Sequence, residues 1–295
     1  MGSDCQNCVK HKEFRTDQLF TWCTGCGNYG IFGAMRNALV ELNLPPHELL
    51  MVFDIGCNGN GADKIEGYRY KSLHGRSLPF AAGASVANNK VKVIASAGDG
   101  AVLAEGLNHL IHAVRNNYNL TFIIHNNSNF ALTTGQASPT TPQNQHMNAS
   151  PDGATGDSLN ILNLLLPLDP SFVARGFSGN IKQLTGILKE AIQHEGLSIV
   201  EILQACPSYS EVTTHEWFLE RVYDLSQKKG YDKTNLNMAI ETARDLEHKI
   251  ATGVIYTNPW KLPFNKRLAN RVETFSQLNE EVLPFDISPM VGAFL

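Results

Sequence analysis

The chain has 295 residues, 43% of them hydrophobic and 18% charged, with a formal net charge of −4. That is enough chain to bury a large α/β core, and its slightly acidic balance excludes nucleic acid or an anionic membrane as the main partner. No apolar run approaches the ~20 residues that span a bilayer, and no signal-peptide core opens the chain, so a cytoplasmic protein with no membrane partner is expected.

Residues 1–22 are polar and irregular, with Cys5-Gln6-Asn7-Cys8 and a basic run from Lys10-His11-Lys12 to Arg15. Trp22-Cys23-Thr24-Gly25-Cys26-Gly27 opens a helical pattern over 29–42, which Pro45-Pro46 stops. A strand over 49–55 runs into Gly56-Cys57-Asn58-Gly59-Asn60-Gly61, and that density of glycine and asparagine after a strand marks a functional loop. A polar loop over 62–78 carries Leu73-His74-Gly75-Arg76, and a small-residue helix over 79–88 precedes a strand over 91–97. After Gly98-Asp99-Gly100 and a helical stretch to Asn117, a second strand ends at His125 and is followed by Asn126-Asn127. Residues 128–157 form a long polar segment, a length that inside a compact domain predicts function. The α/β rhythm resumes with a helix over 158–166, a strand over 172–175, a helix over 181–194 and a strand over 197–203, followed by Ala205-Cys206-Pro207. From Ser208 it stops. One helix over 235–250 and a run of Pro259, Trp260, Pro263, Phe264, Pro284, Phe285, Pro289 and Phe294 predict a tail that either wraps a partner subunit or folds back on its own domain. The expected division is an N-terminal cysteine-bearing segment (1–27), an α/β domain (28–207) and a C-terminal interface region (208–295).

The stretch 91–127 reads as a βαβ unit, two β-branched apolar runs around a helix-spaced segment. In a parallel sheet the strand carboxyl ends lie side by side, so Asp99 and Asn127 face one crevice, where such folds bind ligands. A carboxylate and an amide oxygen suit Mg²⁺ carrying a phosphate, and the flanking glycines let an anion approach the backbone. The plain alternative is a tight turn with ordinary loop asparagines. GDG, then 25 residues, then NN resembles the thiamine-diphosphate motif. That resemblance implies Asp99, Asn127 and the carbonyl of Asn129 as Mg²⁺ ligands.

Two ligand sets compete for the six cysteines. Cys5, Cys8, Cys23 and Cys26 are paired CxxC motifs 14 residues apart, as in a zinc ribbon. Cys23, Cys26, Cys57 and Cys206 are instead four thiolates for a 4Fe–4S cluster. Sequence distance favours the first set. The second is favoured because Cys57 and Cys206 each follow a predicted strand and so share the edge that holds Asp99. Ordinary buried thiols are the bland reading, and structural disulfides are not expected in a cytoplasmic protein.

Taken together, Trp22-Cys23-Thr24-Gly25-Cys26-Gly27, Asp54-Ile55-Gly56-Cys57, Leu73-His74-Gly75-Arg76, GDG…NN, Thr133-Thr134-Gly135-Gln136, Ser138-Pro139-Thr140-Thr141 and Cys206-Pro207 resemble the β subunits of 2-oxoacid:ferredoxin oxidoreductases, over roughly residues 15–210 and with a lean to the 2-oxoglutarate (KorB-like) branch. The resemblance implies a doubly wound, mostly parallel α/β sheet that binds thiamine diphosphate and Mg²⁺, with a cluster on Cys23, Cys26, Cys57 and Cys206 beside the thiamine ring. It implies that Thr24, Cys57, His74, Gly75, Gly98 and Gly100 surround the diphosphate and thiazole, that Leu132 holds the cofactor bent, and that Thr134 and Gly135 continue the phosphate loop. His74 is the candidate catalytic residue, touching the diphosphate or the reacting carboxylate. Arg76 is either an anion partner or a structural pair. The implied reaction is CoA-dependent oxidative decarboxylation of a 2-oxoacid, 2-oxoglutarate before pyruvate, with electrons leaving through the cluster to ferredoxin, and reversible. The glutamate that activates thiamine is missing here and comes from an α subunit, so a heterodimer or a dimer of heterodimers is expected. Lys10, Lys12 and Arg15 are either a ferredoxin-docking surface or a solvated charged segment. A non-redox decarboxylase subunit with a structural zinc site and a non-catalytic metal-binding scaffold are the competing functions.

Overall fold

The structure is a computed structural model that describes residues 8–268 and 288–292. Its strands in chain order are β1 (Leu49–Phe53), β2 (Tyr68–Lys71), β3 (Lys92–Gly98), β4 (Leu120–Asn126), the short pair β5 (Asn129–Phe130) and β6 (Gln136–Ala137), then β7 (Phe172–Phe177), β8 (Leu197–Leu203), β9 (Val222–Asp224) and β10 (Ile250–Thr257). The helices are α1 (Asn28–Glu41), α2 (Ser77–Ala87), α3 (Leu107–Asn116), α4 (Ile161–Leu165), α5 (Ile181–Gln193), α6 (His215–Arg221) and α7 (Leu236–Ala243).

Apart from the β5–β6 pair, the strands form one eight-stranded sheet in the order β2-β1-β3-β4-β8-β7-β10-β9. From β2 to β7 every pairing is parallel. β8 is buried at every position and β4 at all but one, the continuous apolar pattern of strands covered on both faces. On one face Ile31, Ala34 and Leu39 of α1 pack with Leu184, Leu188 and Ile192 of α5. On the other, Leu78 and Ala81 of α2, Leu110 and Val114 of α3 and Ile161 of α4 form a second core. Val9 and Phe14 join the first core, so described residues of the N-terminal segment are anchored to α1 and not free of the domain.

Two expectations change. The loop over 62–78 contains the edge strand β2, all four of whose residues are exposed. The supposed tail from Ser208 adds β9 and β10 to the sheet: β10 runs antiparallel to β7, with Gly253 opposite Arg175, and α7 packs on it through Ala239 and Ala243. The helix expected over 235–250 therefore ends at Ala243, and Ile250 starts a strand. Near the end of this stretch the Phe264 N–H donates to Asn117 O, so the chain folds back on its own domain there. Pro284, Phe285 and Phe294 lie outside the described residues.

Candidate active site

Register carries the site. Gly98 pairs with His125 across β3 and β4, and Asn126 with Leu203 across β4 and β8. Residues that follow β1, β3, β4 and β8 therefore emerge side by side at one carboxyl edge, lining a single cleft with Cys57, Asn58, His74, Gly98, Asp99, Gly100, Asn127, Asn129, Leu132 and Gln204 among its walls.

Asp99 is 1% exposed. Its Oδ2 accepts from the hydroxyls of Ser138 at 2.5 Å and Thr140 at 2.6 Å, both on the long polar segment after Asn127. Burial pushes its carboxyl up to about 6, opposed by those two hydroxyls and by the N–H of Asn127. Asn127 Oδ1 accepts from the N–H of Asn129, while the buried Oδ1 of Asn129 has no hydrogen-bond partner. Asn28 Nδ2, Asn58 Oδ1 and Gln204 Oε1 are further buried polar atoms of the cleft wall without partners. Orphaned donors and acceptors around a buried carboxylate are what a polar, metal-bearing ligand would satisfy. At Gly100 a Cβ would come 2.3 Å from the Phe130 ring, so only glycine fits the turn into the π-helical stretch Ala101–Glu105.

Behind Asp99 lies a buried polar chain. Thr140 Oγ1 is 3.0 Å from Asn126 Oδ1, Asn126 Nδ2 donates to Glu201 at 2.8 Å, and Glu201 pairs with Arg175 at 2.7 Å. His74 Nδ1 is 2.9 Å from Glu105, a carboxylate that sequence reasoning missed. Asp54 fixes the turn that carries His74 by accepting from the N–H groups of Gly75 and Ser77. Arg76 donates to the carbonyls of Gly75 and Glu105, so it serves this turn structurally.

Cys23, Cys26, Cys57 and Cys206 are free. The Gly27 N–H donates to Ala205 O, seating the CxxC turn beside Cys206, and Trp22 Nε1 donates to Cys57 O at 2.7 Å. Burial, then the neighbouring Cys26, Cys206 and Cys23, push the Cys57 thiol up to about 12. Burial likewise raises Cys26, with Cys206 and Cys23 adding to the effect. A positive centre among the four cysteines would favour the thiolates of Cys26 and Cys57, which is the fit expected of an iron–sulfur ligand set. Among the described residues no three His, Cys, Asp or Glu side chains converge as on a single ion; a cluster binds each thiolate to a different iron and does not need that convergence. Cys8 is disulfide-bonded, which removes it from a zinc ribbon and departs from the expectation of no disulfides; Cys5 lies outside the described residues.

Of the residues expected at the site, Cys57, His74, Gly98, Asp99, Gly100, Asn127, Asn129 and Leu132 line the cleft, whereas Thr24, Gly75, Thr134 and Gly135 do not. Thr24 sits in the CxxC turn and Gly75 behind His74, and Thr134 and Gly135 lie in a turn with positive φ. Asn28, His125 and Gln204 were missed: His125 and Gln204 are brought to the cleft by sheet order, and Asn28, at the start of α1, by its contact with His125, which no local pattern encodes.

A glycine-flanked carboxylate and an asparagine pair at the carboxyl edge of a parallel sheet define a thiamine-diphosphate enzyme domain, and residues 54–202 match the thiamine pyrophosphate enzyme C-terminal TPP binding domain. Residues 206–276 match the family of C-terminal regions of the pyruvate ferredoxin oxidoreductase β subunit. The β subunit of 2-oxoacid:ferredoxin oxidoreductase 1 of Aeropyrum pernix is 36% identical over 95% of this chain and 92% of its own. The 2-oxoglutarate oxidoreductase subunit KorB of Mycobacterium tuberculosis is 38% identical over 68% of this chain and 54% of its own. A solved structure of 2-oxoglutarate:ferredoxin oxidoreductase from Magnetococcus marinus, with 2-oxoglutarate, coenzyme A and succinyl-CoA bound, superposes with a TM-score of 0.87 at 27% identity, covering 97% of this chain and 96% of that one. The chain belongs to the 2-oxoacid:ferredoxin oxidoreductase β-subunit family, on its KorB-like side, and is part of an oxidoreductase. No helix among the described residues is long and apolar enough to cross a membrane.

Proposed function

We propose that the chain is the β subunit of a cytoplasmic 2-oxoglutarate:ferredoxin oxidoreductase, converting 2-oxoglutarate, CoA and two oxidised ferredoxins into succinyl-CoA, CO₂, a proton and two reduced ferredoxins, and the reverse when the donor is reducing enough. The observation that carries this reading is that Cys57 belongs both to the wall of the Asp99 cleft and to the set of four free thiols. When bound, thiamine diphosphate supplies the nucleophile and electron sink for decarboxylation, and a 4Fe–4S cluster supplies one-electron steps.

The residues divide that work. Asp99, Asn127 and the Asn129 carbonyl would hold Mg²⁺ beside the diphosphate, with Ser138 and Thr140 fixing the carboxylate. Gly98 and Gly100 would let the anion reach the backbone, and Leu132 would pack against the cofactor. His74, oriented by Glu105, holds a hydrogen bond to the diphosphate or to the substrate carboxylate. Cys23, Cys26, Cys57 and Cys206 hold the cluster. An α subunit supplies the activating glutamate and closes the open side of the cleft. Lys10, Lys12 and Arg15 are exposed, and Arg36, which donates to His11 O, lies close enough to Arg15 to feel its charge; together they offer an acidic ferredoxin a docking face.

The test is anaerobic purification of the chain with its α subunit. Iron and acid-labile sulfide at about four each per β chain, brown colour bleached by dithionite, and CoA-dependent ferredoxin reduction faster with 2-oxoglutarate than with pyruvate are expected. A colourless, zinc-loaded complex that decarboxylates without reducing ferredoxin would refute the reading in favour of a non-redox enzyme.

A further inference from the structure

The segment Gln204-Ala205-Cys206-Pro207-Ser208 does more than supply one thiol. On its amino side Gln204 Nε2 lies 3.6 Å from Cys26 Sγ; on its carboxyl side Ser208 Oγ lies 3.1 Å from Cys23 Sγ. Pro207 has no N–H, so at that position the turn has no backbone donor to offer; Cys26 also accepts from the backbone N–H of Asn28, and Gln204 and Ser208 add side-chain donors to Cys26 and Cys23. Gln204 is 1% exposed, its own N–H donates to Asn126 O at the end of β4, and its side chain also lines the cleft. Gly27 makes its position possible: a Cβ there would stand 2.6 Å from Gln204 Cγ. The last glycine of Cys23-Thr24-Gly25-Cys26-Gly27 thus clears the path by which Gln204 reaches Cys26.

We propose that Gln204 and Ser208 are the potential-setting donors of the cluster, each acting through the sulfur it faces. The inference rests on the cluster proposed above. A thiolate bound to iron accepts hydrogen bonds but has no proton to give, so both contacts run from the side chain to sulfur. Reduction adds one electron to the cluster and makes or breaks no bond. The added negative charge strengthens both contacts, which stabilises the reduced state and raises the potential. Gln204 acts in a buried setting and Ser208 in an exposed one, so Gln204 has the larger effect. Because Gln204 touches both the cluster ligand Cys26 and the cofactor cleft, it is also placed to match the two redox centres.

The experiment is a dye-mediated redox titration, read by electron paramagnetic resonance, of the αβ complex carrying wild-type chain, Gln204→Met, Ser208→Ala, Ser208→Thr or Gly27→Ala. At fixed ambient potential the reduced fraction should fall in Gln204→Met and Gly27→Ala, approaching a tenfold change in the reduced-to-oxidised ratio, about 59 mV for one electron. The fall should be smaller in Ser208→Ala and absent in Ser208→Thr, which keeps the hydroxyl. Unchanged or raised potentials in fully loaded Gln204→Met and Ser208→Ala would overturn the inference and leave the cluster reading standing. If a variant loads poorly, the potential of its residual cluster decides, and an unshifted value again overturns it. Absence of iron from the wild-type complex would instead overturn the cluster reading itself.

Discussion

Replacing Thr140 by valine keeps the shape of the side chain and removes one hydroxyl. That hydroxyl has a single hydrogen and faces two acceptors, Asp99 Oδ2 at 2.6 Å and Asn126 Oδ1 at 3.0 Å, of which the charged and closer one wins. A hydrogen bond to a charged group is worth about 1.5–3 kcal/mol. Ser138 stays on the same oxygen at 2.5 Å, so the lower end applies, equivalent to about one pKa unit. Asp99, already pushed up to about 6 by burial, would then titrate near ~7. In the function proposed, Mg²⁺ competes with the proton for this carboxylate, so the affinity for Mg²⁺–thiamine diphosphate should fall tenfold for each pH unit below the midpoint. Calorimetric titration of the apo αβ complex should find Thr140→Val binding roughly fivefold weaker than wild type at pH 6 and nearly equal at pH 8. The apo protein supplies a sign check. A carboxyl raised in the fold contributes stability at low pH that is lost as pH rises through its folded midpoint, so the variant's melting temperature should still be falling between pH 6 and 7, where this group's contribution in wild type has largely levelled off. Equal weakening at both pH values would mean the hydroxyl matters for packing alone and would refute the reasoning.

Glu201→Gln strands Arg175, fully buried and already without partners at both terminal nitrogens; a loss of about 3–5 kcal/mol is expected in denaturant unfolding, and a loss below ~1 kcal/mol would show that the pair is solvated or replaceable. His194 is depressed to about 4 by burial, so the stability it contributes is present above 6.5 and lost as the pH falls toward 4. His194→Gln should flatten the acid side of the melting-temperature profile, and a profile of unchanged slope would show the ring to be protonated in the fold. Reversing Lys10, Lys12 and Arg15 to glutamate should slow ferredoxin reduction severalfold at low salt, with the difference shrinking as salt is added, while viologen reduction is unchanged; equal loss with both acceptors argues against docking there.

The βαβ unit around GDG was legible because its signals are local: two β-branched runs, a helical spacing between them, and polar residues where each strand stops. β2 escaped notice because Tyr68-Arg69-Tyr70-Lys71 is an exposed edge strand and buries no face that would impose alternation. β10 escaped because its partner β7 lies far back in the chain, and pairing across that separation leaves no mark in either segment. The same division runs through the site. Asp99 and Asn127 advertise themselves by composition at strand ends. His125 and Gln204 are ordinary letters in their own segments, and only the order β3-β4-β8 brings them to the cleft, while Glu105 meets it through His74.

That order also bears on the reaction proposed. Cys57 follows β1 and Cys206 follows β8, strands separated by β3 and β4, whose ends carry Asp99 and Asn127. The proposed cofactor ligands therefore lie between the two strand-borne cysteines, and the CxxC turn is drawn in from the amino-terminal side by Gly27 and Trp22. In this arrangement the separation of cleft and thiols is set by the spacing of neighbouring strands, about 4.8 Å each, and not by a flexible linker. A domain built so cannot move the proposed cluster ligands Cys57 and Cys206 without disturbing Asp99. Substitutions in the buried chain Thr140–Asn126–Glu201–Arg175 should consequently change cofactor affinity and cluster potential together, whereas Ser208→Ala, on the far side of the thiols, should change the potential alone.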